Sequence, residues 1–311
     1  MAQTVSTVNN GFMELIKRIE LNDSRIKLAS QHYNAVKERI ETTLPGKTVS
    51  QIGSFQRKTK IRPIKDSDPL DVDLIVCFGD AYRYADLGKG TTPQQALESV
   101  RKALVSDGTY KIMAPKSDAP VVVLEYSDGF LVELTPCFRD LTGKYPRQGG
   151  PACYIVGTSG GSWLPADYDY DASIISSINQ LDATKLSFIP SIKMIKAFLR
   201  GKNIPLKSFH IEILCVYIIA PALIEWQQKE WGFNHVLAHF LSKAHTMLIE
   251  PISMPESHSP PIVSELSAFH LKKLRYTLTE LGSQAWDICK ESNDSKALCR
   301  WRNFIGEPFP S

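Results

Sequence analysis

A long uninterrupted apolar run, a paired cysteine motif and a basic segment near the first residue are all missing from this chain of 311 residues. No apolar run reaches the roughly 20 residues that cross a bilayer, so we expect no membrane contact. The six cysteines include no Cys-x-x-Cys pair, and several lie in apolar runs, which is typical of core residues in a reducing cytosol. The first residues carry neither a basic segment nor a long apolar one, so we expect no signal peptide and a cytoplasmic location.

A large excess of charge of one sign is also absent. Lys and Arg total 36 and Asp and Glu total 33, so the formal net charge is +3. Dedicated binders of duplex nucleic acid usually carry a strong basic stripe, so we expect no stable nucleic-acid partner. One local basic cluster indicates either a solvated loop or phosphate contact by one or two of its members: Arg57, Lys58, Lys60, Arg62 and Lys65.

The pattern of apolar residues predicts an α+β chain. Apolar positions at three-four spacing predict a first helix from Phe12 to Ile40, bent or broken near Asn22. Thr92 and Pro93 are typical of the start of another helix, with threonine as its N-cap. Short apolar or alternating runs predict five strands, over residues 48–52, 71–78, 110–113, 121–126 and 130–135.

After residue 171 only helical stripes follow, which divides the chain into two predicted lobes. Residues 1–170 are expected to form a mixed sheet with flanking helices, and residues 171–311 a C-terminal helical bundle. Residues 139–171 are rich in Gly, Pro and Tyr and are expected to connect the lobes. A ligand is expected in the central cleft between the two lobes.

Two acidic residues share one face of a predicted strand. Because side chains alternate along a strand, Asp71 and Asp73 point one way, whereas Val72 and Leu74 point the other way, into a core. Neighbouring carboxylates on a buried strand repel each other and lose hydration, and a divalent metal is the commonest reason to keep them. Glu133 lies on the second strand of a predicted hairpin. If that strand lies beside the first, three carboxylates meet.

The order of these features resembles a known superfamily. A Gly53-Ser54 turn, an Asp-x-Asp strand and a single later acid form the pattern of the DNA polymerase β-like nucleotidyltransferases. The segment Ile52-Gly-Ser-Phe-Gln-Arg-Lys-Thr59, followed by Ile61-Arg-Pro63, is similar to the bacterial CD-NTases, relatives of cyclic GMP-AMP synthase and oligoadenylate synthase. Residues 195–200 and 207–212 resemble that family's helical lobe, so the resemblance extends from about residue 15 to residue 248.

The resemblance implies the fold and the chemistry of these nucleotidyltransferases. Such an enzyme condenses nucleoside triphosphates (ATP or GTP, with pyrimidine nucleotides as further candidates) into a cyclic di- or trinucleotide that signals in anti-phage defence. Two Mg²⁺ or Mn²⁺ ions would be bound by Asp71, Asp73 and Glu133. Glu133 would hold the ion that activates the attacking hydroxyl. A monomer is expected, with a regulatory protein as a candidate partner.

Five further residues are candidates for nucleotide binding. Gly53 lets the backbone approach a phosphate closely, and the Ser54 hydroxyl can donate to phosphate oxygens. Lys196 and Ser208 match the family's phosphate-contacting lysine and serine. Phe209 stands where relatives often carry a tyrosine that stacks on a base, and it keeps the ring face. The alternatives are a polar helix face for Lys196, an ordinary turn for Gly53-Ser54, and a core position for Phe209.

Two observations keep other functions open. Family members usually have aspartate where this chain has Glu133, and the longer side chain indicates either slower catalysis or a catalytically silent nucleotide-binding module. A linear nucleotide-adding enzyme, like oligoadenylate synthase or an RNA-tailing enzyme, is another alternative. His235 and His239 have helix-face spacing for zinc, but no other ligand accompanies them, so we expect surface or core positions.

Overall fold

The structure, a computed structural model, describes residues 6–65, 68, 70–82, 91–145, 153–226, 231–262 and 266–310. Its sheet is open and has the order β1–β2–β5–β4–β3, with β6 beside the far part of β5 and β7 beside β6. The β2–β5 pair is parallel, and every other pair is antiparallel. The strands are β1 (Thr48–Gln51), β2 (Leu70–Ala81), β3 (Lys116–Asp118), β4 (Val121–Glu125), β5 (Phe130–Asp140), β6 (Tyr154–Gly157) and β7 (Trp163–Ala166).

Helices flank this sheet and then form a bundle, so the α+β class with a mixed sheet and flanking helices is confirmed. The helices that precede or interrupt the sheet are α1 (Val8–Ile19), α2 (Asp23–Thr43), α3 (Gly53–Gln56), α4 (Pro93–Val105) and α5 (Gly108–Ile112). Those that follow it are α6 (Tyr168–Gln180), α7 (Phe188–Gly201), α8 (Ser208–Glu225), α9 (Phe233–Met247), α10 (Ala268–Cys289) and α11 (Asp294–Ile305).

The predicted first helix is two helices, and the break lies where the polar residues stand. The side chain of Asn22 accepts a hydrogen bond from the backbone N–H of Arg25, so it caps α2 and ends any continuation from α1. The buried face of α1, including Phe12 and Ile19, packs into the core of the helical bundle. The buried face of α2 packs on the sheet instead. By packing, α1 therefore belongs with the helical lobe, although the predicted boundary at residue 170 groups it with the sheet.

Two predictions about local structure are corrected. Residues 110–113 were predicted as a strand, but they lie at the end of helix α5, because Asp107 accepts the Thr109 N–H and starts a helical turn. The predicted connection over residues 139–171 contains two strands, β6 and β7, which extend the sheet; residues 146–152 of it lie outside the described residues. Helix α4 begins as predicted, with a capping box between Thr92 and Gln95.

The protein has two main apolar cores, one in each lobe. The sheet core is formed by the inward residues of β2, β4 and β5 with α2 and α4, and the larger helical core by α1 and α6–α11. The central helix of the second core is α8, which is long and apolar enough to cross a membrane by length and composition. Because 61% of it is buried, its composition is that of a core helix.

Two glycines provide a matched test of the packing in the helical lobe. At Gly282 an added Cβ would lie 2.7 Å from the backbone nitrogen of Ser242, because α9 and α10 touch there. At Gly201, in the last turn of α7, nothing lies within 4 Å of an added Cβ. We expect Gly282→Ala to lower the free energy of unfolding by about 1–3 kcal/mol, and Gly201→Ala to leave it unchanged or raise it by up to about 0.5 kcal/mol. Urea unfolding checks both; equal effects would contradict the close helix contact.

Candidate active site

The three predicted acidic residues meet on one face of the sheet. In the parallel β2–β5 pair, Asp73 lies directly opposite Glu133, and Asp71 lies two residues along the same face of β2. The residues between them point the other way: Val72 and Val132 are fully buried in the sheet core. Because the side-chain period of a strand is two, burying the apolar face forces all three carboxylates into the cleft.

A glycine makes room for one of these carboxylates. Gly53 has a φ of +73°, and a Cβ added there would lie 2.0 Å from Oδ2 of Asp73. Only glycine therefore fits both the backbone conformation and the close approach. The Ile52 N–H donates to the Asp73 carbonyl at 2.9 Å, which fixes the Gly53-Ser54 turn beside β2. The turn that the sequence predicts to contact phosphate thus lies directly beside the carboxylates.

The electrostatics of the site are set first by the removal of the acids from water and then by the repulsion between them. Burial, and then the charges of Asp73 and Asp71, raise the pKa of Glu133 to about 7. Burial and the charge of Asp71 also raise the pKa of Asp73, against the opposing charge of Lys60. The Lys60 ammonium lies 3.7 Å from Oδ2 of Asp71 and donates to the Asp71 carbonyl at 3.0 Å. This lysine, predicted as a candidate phosphate contact, is thus a counter-charge to the acids.

One cleft of about 770 Å³ brings all the predicted site residues together. Its walls come from the sheet lobe, from α7 and α8 of the helical lobe, and from residues 156–159 and 164–166 of the predicted connection. The predicted site residues that line it are Gly53, Ser54, Asp71, Asp73, Glu133, Lys196, Ser208 and Phe209. Of the basic cluster, only Arg57 and Lys60 line the cleft.

Lys196 is part of a buried ionic network that joins the two lobes. Its ammonium donates to Oε1 of Glu212 and, at 3.1 Å, to the hydroxyl of Thr59. Arg57 donates to the other carboxylate oxygen of Glu212, and Thr59 donates to Oε1 at 2.8 Å. Although burial opposes ionisation, the charges of Lys196 and Arg57 lower the pKa of Glu212. Sequence reasoning missed Glu212, because its partners lie 16 to 155 residues away along the chain.

Ser208 and Phe209 lie at the first turn of α8, at the edge of the cleft. The Ser208 hydroxyl is 3.5 Å from a guanidinium nitrogen of Arg200, another residue that lines the cleft. The Arg57 guanidinium lies 4.6 Å from the centre of the Phe209 ring, so one face of that ring already stacks on a cation. Phe209 also packs against the helical core.

The two histidines with zinc-like spacing are half-buried among aromatic rings. His235 stacks on Trp231 with ring centroids 5.2 Å apart, and His239 meets the edge of Trp226 at 4.8 Å. Burial lowers the pKa of both imidazoles. Both imidazoles thus lie between the surface and the core position that the sequence predicts for them.

Comparison with known proteins identifies relatives of the whole chain. Residues 6–148 match the family of the Second Messenger Oligonucleotide or Dinucleotide Synthetase domain. A protein of Bacillus cereus (strain VD146), named "Probable cyclic nucleotide synthase", is 27% identical over an alignment that covers 99% of this chain and 99% of the relative.

Solved structures share the fold at low identity. The cyclic AMP-GMP synthase DncV of Vibrio cholerae, in complex with nonhydrolyzable GTP, has a TM-score of 0.73 at 9% identity, with 98% of this chain and 97% of that chain covered. CdnC of E. coli MS115-1 with ATP has a TM-score of 0.69 at 15% identity, with 97% and 99% covered. The same CdnC in complex with HORMA-deltaN has a TM-score of 0.66 at 14% identity, with 99% and 100% covered.

The raised pKa of Glu133 predicts how the stability of the metal-free protein depends on pH. A carboxyl whose pKa rises on folding costs stability progressively between its usual value of 4.5 and about 7, and the full cost remains at higher pH. Glu133→Gln removes the charge, so we expect a gain of about 1–2 kcal/mol near pH 8 and none near pH 4. Urea unfolding with a chelator measures it. Glu125→Gln, exposed on β4, is the control and should give no gain; the same result for both variants would contradict repulsion at Glu133.

The buried network predicts that one conservative substitution will lower the free energy of unfolding strongly. Glu212→Gln keeps the shape of the side chain but leaves the buried cations Lys196 and Arg57 without their carboxylate. Removing one partner of a buried ion pair typically costs about 3–5 kcal/mol, so we expect a loss of that order in the free energy of unfolding. The control is Glu98→Gln, which removes a surface pair with Arg101 and should change little. Similar small losses in both variants would show that the network contributes no more than a surface pair.

Proposed function

Because this chain is a member of the CD-NTase family, we propose that it is a nucleotidyltransferase that joins nucleoside triphosphates into a cyclic di- or trinucleotide with release of pyrophosphate. The observation that carries the proposal is the convergence of Asp71, Asp73 and Glu133 beside the Gly53-Ser54 turn, in one cleft between two lobes. Carboxylates beside a phosphate-compatible turn are the groups that nucleotidyl transfer requires.

The donor set fits two Mg²⁺ or Mn²⁺ ions, because these ions prefer oxygen ligands and three carboxylates face one space. Burial and the charges of Asp73 and Asp71 together disfavour the ionised form of Glu133, and bound cations would favour it. Asp71, Asp73 and Glu133 are the residues that would hold these ions. When bound, the ions neutralise the attacking and leaving oxygens of the displacement at the α-phosphate.

The remaining steps belong to residues of the chain. Glu133 is suited to accept the proton of the attacking hydroxyl, because its carboxylate faces the cleft beside Asp73, within the space where that hydroxyl would bind. The Ser54 hydroxyl would donate to the phosphates of the donor nucleotide. Lys60, beside the acids, would add positive charge as the pyrophosphate leaves.

The helical lobe would bind the rest of the nucleotide. Ser208, with Arg200 beside it, offers a hydroxyl and a guanidinium to phosphate oxygens. Lys196 reaches the cleft but is held by Glu212, so it would act by keeping this wall cationic and rigid. Phe209 would stack on a base with the ring face that Arg57 does not cover. The cleft volume lies toward the upper end of the range of roughly 300–1,000 Å³ for ligand pockets, which suits a donor and an acceptor nucleotide together.

ATP and GTP are the proposed substrates, because the solved structures that share this fold include complexes with ATP and with a GTP analogue. We further propose that the product serves as a second messenger in anti-phage defence, and that a regulatory protein controls its synthesis. The second part is supported by the complex of the similar CdnC with HORMA-deltaN.

The carboxylates should be essential for turnover. We expect the wild-type chain, given Mg²⁺ or Mn²⁺ and all four nucleoside triphosphates, to form products that resist phosphatase, because a cyclic nucleotide has no terminal phosphate. The Asp71→Asn and Asp73→Asn double variant should form less than about 1% of that amount. Asp80→Asn, on the same strand but outside the cleft, is the matched control and should keep activity. Chromatography and mass spectrometry of the products measure both.

Other outcomes of this assay would distinguish cyclisation from linear nucleotide addition and from nucleotide binding without catalysis. Products that are all degraded by phosphatase would replace cyclisation by linear nucleotide addition. Nucleotide binding without any product would indicate a silent module. In that case Glu133→Asp, which restores the usual family residue, tests whether the longer side chain is the cause. Full activity in the double variant would remove the carboxylates from the mechanism.

A further inference from the structure

A second group of metal-binding side chains lies at the other end of the cleft wall. It consists of Cys153, Asp167 and His258, whose ligand atoms all lie within 4.8 Å of one another. The three residues come from separate parts of the fold: the position just before β6, the N-cap position of α6, and the segment between α9 and α10. None of them is among the predicted site residues, and none lines the cleft.

The carboxylate of Asp167 contacts His258 instead of capping its own helix. An aspartate at an N-cap usually accepts a hydrogen bond from its own helix, but Asp167 makes no such bond. Its Oδ2 instead accepts the backbone N–H of His258 at 2.6 Å and lies 3.1 Å from Nδ1 of the same histidine. The Asp167 N–H donates to the hydroxyl of Ser259 at 2.8 Å, which binds the two segments together a second time.

The surroundings favour a site that is closed on one side and open on the other. Cys153 and Asp167 are 2% and 1% exposed, whereas the His258 side chain is 28% exposed. The backbone bonds described above orient the carboxylate, as outer contacts of a metal ligand do. The Cys153 thiol donates to the Tyr154 carbonyl at 3.2 Å, a weak hydrogen bond that a metal-bound thiolate would give up. The half-open histidine leaves a path by which an ion and a water molecule could enter.

The donor set selects the metal. One sulfur, one nitrogen and one carboxylate oxygen suit Zn²⁺, which binds them at roughly 2.0–2.3 Å, whereas Mg²⁺ prefers oxygen ligands alone. Tetrahedral ligands at these bond lengths lie roughly 3.3–3.8 Å apart, so no pair of ligand atoms would have to approach by more than about 1.5 Å. We propose that Cys153, Asp167 and His258 bind one zinc ion, with water as the fourth ligand.

A zinc ion at this position would hold two parts of the cleft wall together. Ser259, Pro260 and Ile262 follow His258 and line the cleft, while Tyr168, next to Asp167, lines it from the other side. A metal shared by His258 and Asp167 would fix these two parts of the wall to each other. The zinc site is independent of the proposed nucleotide chemistry, because it shares no residue with the three carboxylates.

The experiment is a titration of the chelator-treated, full-length protein with Co²⁺, which replaces Zn²⁺ and absorbs light. We expect a sulfur-to-cobalt charge-transfer band in the near ultraviolet, the visible absorption of a four-coordinate ion, and saturation at about one ion per chain. Excess Zn²⁺ should abolish both signals and excess Mg²⁺ should not, which separates this site from the carboxylates. Addition of Zn²⁺ alone should raise the melting temperature.

Variants assign the ligands. Cys153→Ser should lose the charge-transfer band, and His258→Gln should lose the four-coordinate absorption, while the controls Cys299→Ser and His270→Ala, both exposed and remote, should keep both signals. The wild-type titration decides the matter even where a variant fails to fold. Folded wild-type protein that shows no sulfur-to-cobalt band at excess Co²⁺, or a band that persists in folded Cys153→Ser, would overturn the proposal.

Discussion

The parallel pairing of β2 with β5 is the constraint on which the site depends. It places Asp73 against Glu133, and the same register buries Val72 and Val132 on the opposite face. A slip by one residue would bring the acids into the core, at a cost far above that of their mutual repulsion. The apolar face therefore enforces a juxtaposition that the charges oppose, and the resulting strain is what prepares the cleft for cations.

A second constraint links this face to the helical lobe. Arg57 and Thr59 extend from the turn beside β2, while Lys196 and Glu212 project from α7 and α8. A buried charge is stable only where its partner is fixed, so the network sets the spacing between the lobes as well as the potential of the cleft. Lys196, which the resemblance assigns to phosphate, therefore has a structural role that the sequence did not reveal.

The sequence predicted what depends on local periodicity. The strand and helix patterns located β2, the β4–β5 hairpin and the helices of the bundle, and they predicted which side of β2 carries Asp71 and Asp73. The sequence-based prediction failed where local signals were weak or misleading. The short helix α5 was predicted as a strand, and the strands β6 and β7 were not predicted because their segment is rich in Gly and Pro. The alternation of apolar and polar residues cannot identify elements as short as these.

The spacing of apolar residues along the chain could not predict contacts between distant segments. Glu212 sits in an apolar helix, and nothing nearby indicates that Arg57 and Lys196 will meet it. The zinc group is a similar case, because Cys153 and His258 are far apart in the sequence. Such groups follow from the fold, whereas Asp71 and Asp73 could be predicted because they occupy one strand and the acid that joins them follows a recognisable hairpin.

The packing of α1 has a consequence for how the chain acquires its structure during synthesis. The ring of Phe12 packs edge-on against Trp301, 5.0 Å away, and against Phe309, so α1 completes its contacts only when the region around α11 has been made. The sheet lobe between them has its own core and needs no residue of α11. On the ribosome, the sheet can therefore assemble early, while α1, which is made before the sheet, completes its packing only after α11 has been made.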